Sequence, residues 1–303
     1  METTTPNLRC LVACTDCRRQ FDATGFAAGS RFHCACGSII EVPRFRANDA
    51  AVVRCSSCSA PRSKEARACQ HCGADYTLHE RDLHTICPSC MTRVSDSARF
   101  CHHCATPIVV QGEAGRKTRQ GCPACGKRHK MNGRTLGEPP LSVLECPRCA
   151  GLWLSREAFE VVADRSRDKT LPDQVLRGSP TTRRADTHPM AGQSGYYRPC
   201  PECRKTMNRR NFGRGSGIVV DTCKEHGIWF DAQELGDILN WIRQGGEQRV
   251  KRQQDSEARH VERMQRFKIE LPAQQDGWAG AQKTRGSSQL DGLGELLGSL
   301  FDV

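Results

Sequence analysis

All but two of the 20 cysteines of this 303-residue chain stand in close pairs. Cys14/Cys17, Cys55/Cys58, Cys69/Cys72, Cys87/Cys90, Cys101/Cys104, Cys122/Cys125, Cys146/Cys149 and Cys200/Cys203 are separated by two residues, and Cys34/Cys36 by one. Cys223 has its mate in His226, again two residues on. A turn of that length points two donor atoms at one tetrahedral ion, so two successive pairs make a four-ligand zinc site. The pairs predict five such sites, taken in sequence order along the chain.

Nothing else in the chain could organise it as strongly. Hydrophobic residues are 37% and aromatics 6%, so no single segment is expected to bury much apolar surface. About 10–16 kcal/mol of binding free energy per structural zinc would replace the missing cores. Disulfide staples are the alternative for a cysteine-rich chain. The hairpin spacing and the lack of a recognisable leader peptide favour zinc and a reducing, cytoplasmic compartment. Iron could occupy the four-cysteine sites, but the histidine at the fifth argues for zinc.

The formal charge of +11 counts the thiols as neutral. Zinc binds thiolates, so each four-cysteine site carries two negative charges and the site with three cysteines and a histidine carries one. The metallated chain then falls to about +2, and bulk charge no longer points to nucleic acid. Local clusters remain. Lys127, Arg128, Lys130 and Arg134 lie between the fourth site's pairs, and Lys205, Arg209, Arg210 and Arg214 between the fifth site's. Such arms could meet phosphates without reading sequence, or simply be solvated loops beside anionic zinc centres.

In chain order, the first unit spans residues 8–46, with a closing strand around Ile39, Ile40 and Val42. Cys10 is left over, a lone thiol among Leu8, Leu11 and Val12 or a competitor of Cys14. Units at 52–78 and 84–110 each enclose ten residues between pairs, an internal repeat. Here the run C-P-S-C-M-T-R-V-S-D-S-A-R-F-C-H-H-C resembles the double zinc ribbon family. That resemblance implies sequential ribbons rather than a cross-brace in which the first pair shares zinc with the third. His71, His102, His103 and His129 lack ligand spacing and are expected on the surface.

Residues 105–121 read as a polar linker. Units at 120–163 and 198–244 follow, separated by a linker at 164–197. C-P-A-C-G…C-P-R-C-A-G-L-W-L-S and C-P-E-C…C-K-E-H-G-I-W-F-D-A-Q-E-L resemble the TFIIB-type zinc ribbon of bacterial transcription-factor zinc-finger proteins. Trp153 and Trp229 are expected to cover the zinc sites and anchor the next helix, rather than to stack bases. Ser155 is the expected cap of one helix, and Asp231 with Glu234 a capping box for the other. Leu235, Ile238, Leu239 and Ile242 recur on one helical face, and Gly245-Gly246 ends it.

Residues 247–271 predict a charged, solvated helix, and 272–288 a linker. At 289–303 the stripe Leu290, Leu293, Leu296, Leu297, Leu300 and Phe301 predicts an amphipathic helix that docks on a partner or folds back on the chain. The fold class is therefore small metal-stabilised domains: tandem zinc ribbons of short β-hairpins, with short helices and flexible linkers. Every site is closed by four protein ligands, whereas a catalytic zinc keeps a position open. A redox C-x-x-C works without a second pair beside it. The expectation is a non-enzymatic adaptor for protein partners, with nucleic acid as the second candidate and neither membrane nor small-molecule substrate.

Overall fold

The computed structural model describes residues 8–136, 140–170, 197–213 and 215–270. Each of the first three ribbons has little apolar surface of its own, and the chain compensates by pairing strands between ribbons. In the first, β1 (Arg9–Ala13) and β2 (Gln20–Asp22) form a hairpin, followed by the hairpin β3 (Arg31–His33) and β4 (Ile39–Glu41). Phe21, Phe32, Ile40 and Val42 close its small core. The second ribbon ends in helix α1 (Tyr76–Arg81), capped by Asp75, whose carboxylate accepts the Thr77 N–H at 2.8 Å. Tyr76 is buried under the Arg62 guanidinium, 4.5 Å from its ring centre.

The third ribbon contributes β5 (Thr85–Ile86) and β6 (Arg93–Val94), and β5 adds in parallel to β1. On the other side β7 (Val110–Glu113) adds in parallel to β2. The resulting five-stranded order is β6-β5-β1-β2-β7, which interleaves the first and third ribbons. Buried Gln20 fastens the junction, donating to the Pro107 carbonyl at 2.6 Å and accepting the Val109 N–H at 3.0 Å. The second and third ribbons touch where the His102 carbonyl accepts the Val53 and Arg54 N–H groups. His102 is buried in that contact, not on the surface as expected from its spacing.

Residues 105–121 are not a linker. They hold β7 and most of β8 (Arg116–Cys122), which pairs with the long β9 (Gly126–Leu136). Their polar residues reflect edge positions, where charge blunts further pairing. Then come β10 (Leu141–Glu145), β11 (Leu152–Ser155) and helix α2 (Arg156–Arg167), which runs into the stretch expected as linker. Ser166 shows why: it is fully buried and donates to the Leu239 carbonyl at 2.6 Å. The last ribbon supplies β12 (Asn208–Asn211), β13 (Val219–Cys223), β14 (Gly227–Phe230) and α3 (Glu234–Arg243). Helix α4 (Gly246–Glu270) follows almost at once.

The fourth and fifth ribbons are one body. Strands β11 and β14 pair antiparallel, Trp153 opposite Trp229 and Leu154 opposite Ile228, giving the order β12-β13-β14-β11-β10-β9-β8. Two glycines allow the approach. A Cβ at Gly227 would stand 2.1 Å from the Leu154 carbonyl oxygen, and one at Gly151 2.1 Å from the Trp229 ring. Across one face of this sheet lies a core too large for either ribbon alone. Phe159, Val162 and Leu154 of one pack with Phe212, Phe230, Ile238, Leu239 and Ile242 of the other. The composition suggested no such core, because each ribbon contributes only half of it.

Candidate metal centres

Each predicted set of four ligands converges. Cys14/Cys17/Cys34/Cys36, Cys55/Cys58/Cys69/Cys72, Cys87/Cys90/Cys101/Cys104, Cys122/Cys125/Cys146/Cys149 and Cys200/Cys203/Cys223/His226 each bring their donor atoms within 4.8 Å of one another. A tetrahedron with Zn–S near 2.3 Å has edges of about 3.8 Å. The sulfur pairs match: Cys14–Cys36 3.6 Å, Cys55–Cys72 3.7 Å, Cys87–Cys104 3.7 Å, Cys122–Cys149 3.7 Å and Cys203–Cys223 3.8 Å. Disulfides would need about 2 Å. Pairing is sequential, so the cross-brace is excluded. Cys10 stands apart from the first site, with its sulfur 3.5 Å from the Leu8 carbonyl, and burial raises its thiol pKa.

The knuckles share one backbone solution. The first cysteine's carbonyl accepts the N–H of the residue just after the pair, as from Arg18, Ser59, Met91, Ala105, Ala150 and Arg204. Those residues take positive φ, between 56° and 65°, and Gly37, Gly73 and Gly126 do so at three other pairs. Side-chain-bearing residues resist that conformation; metal closure holds them in it. The turn also aims backbone N–H groups at sulfur. Those of Cys72 and His71 pull the Cys69 thiol down to about 6, favouring the thiolate that zinc requires.

Residues 55–105 match the family model for the double zinc ribbon. No curated protein and no solved structure matches the chain. This is a multi-zinc-ribbon protein. Zinc fits its donors throughout: four ligands per site, thiolate-rich, with His226 Nδ1 3.4 Å from the Cys223 sulfur.

In this multi-zinc-ribbon protein the two tryptophans cover the zinc sites as the sequence suggested, but the helices that follow are anchored on the other face of the sheet, by Leu152, Leu154, Ile228 and Phe230. Trp153 and Trp229 are 2% and 0% exposed, packed among cysteines of both the fourth and fifth sites. Their indole N–H groups are taken by Glu202 at 3.0 Å and Asp231 at 3.1 Å, so neither ring is available to a base. The Asp231 capping box forms only in part. Glu234 accepts the Asp231 N–H at 2.7 Å, but the Asp231 carboxylate is held by Arg198 at 2.7 and 3.0 Å instead of capping α3. Burial, and then the Asp231 charge, push the Glu234 carboxyl up to about 7. Ser155 caps α2 as expected, accepting the Ala158 N–H at 3.1 Å.

The basic arms divide. Lys127, Arg128, Lys130, Lys205 and Arg209 are exposed; Lys205 pairs with Glu225 at 2.8 Å and Lys130 donates to the Arg119 carbonyl at 2.8 Å. Arg210 is half-buried, and Arg214 lies outside the described residues. Arg134 is no phosphate contact. Its side chain is 4% exposed, with Nε 3.0 Å from Glu145, the guanidinium 5.6 Å from the Phe32 ring centre, and Nη2 on the His33 carbonyl. Glu145 in turn accepts the His33 backbone N–H and contacts its ring, tying the first ribbon to the fourth. The sequence reading missed His33 and Glu145. A glutamate following Leu141 and Val143 at period two was the available signal.

The docking stripe Leu293, Leu296, Leu297, Leu300 and Phe301 lies outside the described residues, as does the linker at 272–288. No described helix is long and apolar enough to cross a membrane.

Proposed function

We propose that this multi-zinc-ribbon protein is a non-enzymatic adaptor that presents rigid surfaces to protein partners. The observation that carries the reading is a groove of about 1060 Å³ beside the fused ribbon pair. Its apolar lining includes Leu141, Val143, Leu144, Ala158 and Val161, with Glu157 on the wall. An apolar floor with charged residues at its walls suits an extended or helical peptide with apolar side chains. Zinc's part is structural, since every site has four protein donors. The knuckle, the tryptophan that follows it and the next helix support assigning the last two ribbons to the TFIIB type. Thiolate ligands favour a reducing compartment, and we take the cytoplasm as the site of action.

The test is affinity capture with tagged wild-type protein and Val161→Glu, each with and without nuclease. Val161 lines the groove and is 39% exposed, so the substitution is tolerable to the fold. A partner retained by the wild type after nuclease and lost from V161E supports the adaptor. Material released by nuclease and indifferent to V161E overturns it.

A further inference from the structure

Helix α4 buries almost nothing in this chain. Val250 near its start is 4% exposed, Glu247 pairs with Arg167 at 2.9 Å, and every residue from Lys251 to Arg266 is exposed. Most helical stability in proteins comes from packing of an amphipathic face, and this helix packs little of its surface on the chain. Its local pairs, Gln253–Glu257 at 3.0 Å and Glu262–Arg266 at 2.7 Å, add a few tenths of a kcal/mol each. A helix so exposed has a surface to offer.

The distribution of charge shows which surface. At 3.6 residues per turn, Arg249, Arg252, Arg259, Arg263 and Arg266 fall within about 100° of arc, along about 25 Å of axis. Val250 lies on the far side, so the side that packs against the body turns the arginines outward. Asp255 and Glu262 stand at the border of the stripe, and Glu257 on the opposite side near Val261. Arg249 donates to the Gln244 carbonyl at 2.7 Å and Arg266 pairs with Glu262; among the described residues nothing pairs with Arg252, Arg259 or Arg263. A merely solvated helix interleaves its charges, whereas here the five cations share one face.

We propose that this arginine face binds the phosphate backbone of a nucleic-acid duplex. Guanidinium forks match phosphate geometry bidentately, and Lys251 stands off the stripe. The B-form major groove, about 12 Å wide, admits an α-helix. Exposed Lys117, Arg119, Lys127 and Arg128 on the β8–β9 edge supply further cationic surface on the same molecule. Ser256 is the short polar side chain on the stripe, and its hydroxyl donates to the Gln253 carbonyl at 2.8 Å, so recognition is of the backbone, independent of sequence. This goes beyond the adaptor reading and does not rest on it; the groove and the helix are separate surfaces.

The test is fluorescence anisotropy of full-length, zinc-loaded protein with labelled 20-base-pair DNA and RNA duplexes of arbitrary sequence, between 50 and 200 mM salt. The triple variant R252Q/R259Q/R263Q should bind at least tenfold more weakly at 100 mM salt. Its log–log salt slope should be shallower by about 2.7, three phosphates at about 0.9 each. R252K/R259K/R263K, which keeps charge and helix propensity, should retain most of the binding and so separates loss of contact from loss of fold. DNA and RNA affinities report which duplex the helix fits. Unchanged binding in the glutamine variant overturns the inference. So does wild-type protein that prefers polyglutamate to duplex, which would identify an acidic protein surface as the ligand class.

Discussion

At the scale of single residues, the chemistry lies in donors and in the charges packed beside them. His226 is the one imidazole among the five described ligand sets. His226→Ala should lower the zinc content of purified protein by one ion, and His226→Cys should restore it; an unchanged metal count in the alanine variant would mean another donor completes the site. Because Cys223 and Cys200 pack against Trp229, the same variant should change tryptophan fluorescence. Glu234 carries a pH dependence. Its folded pKa of about 7 stands above its ordinary 4.5, raised by burial and by Asp231, with Arg198 partly offsetting and Asp221 adding to the rise. The folded state therefore holds a proton that the unfolded state releases, so this contribution is full below about 4.5 and disappears as pH rises through 7. Denaturant unfolding of zinc-loaded protein should show stability falling by roughly 1 kcal/mol between pH 6 and pH 8. Glu234→Gln, which can still accept the Asp231 N–H, should flatten that slope.

At the scale of elements, the decisive contact is strand β11 against β14. Adding one methyl at Gly227 forces it onto a backbone oxygen that cannot swing away. Gly227→Ala should cost about 3 kcal/mol or more, the upper end of overpacking losses. The check is a lower Tm for the fused pair of ribbons with zinc content unchanged, because the ligands of each site come from one ribbon alone. The C-terminal stripe belongs to this scale as well. We expect deletion of residues 288–303 to abolish capture of a partner without altering Tm. A clear fall in Tm with capture intact would show instead that the stripe covers this chain's own apolar surface.

At the scale of the molecule, five closed zinc sites take the place of large single-ribbon cores, and strand pairing makes the ribbons support one another. Elemental analysis should return close to five zinc ions per chain, and two or fewer would contradict the convergence of the ligand sets. Stepwise chelation should not remove the fourth and fifth ions independently. Trp153 and Trp229 pack against cysteines of both sites, so loss of one metal should weaken retention of the other. Simultaneous titration of released zinc and near-ultraviolet circular dichroism measures that coupling.

The sequence alone determined the ligand sets, their sequential pairing, the tryptophan lids, the Ser155 cap and the α3 stripe. The two-residue pairs, the cap and the stripe depend on residues a few positions apart, where backbone geometry leaves little choice; the joining of successive pairs was the expectation that the structure then upheld over a cross-brace. Only the tertiary structure decided how the ribbons meet. That Arg134 serves Glu145 rather than phosphate, that residues 105–121 are edge strands, and that Asp231 serves Arg198 instead of a helix all depend on groups distant in sequence. Each ribbon taken singly looks polar and nearly coreless, because the apolar faces that join them are divided between segments and become a core only on pairing.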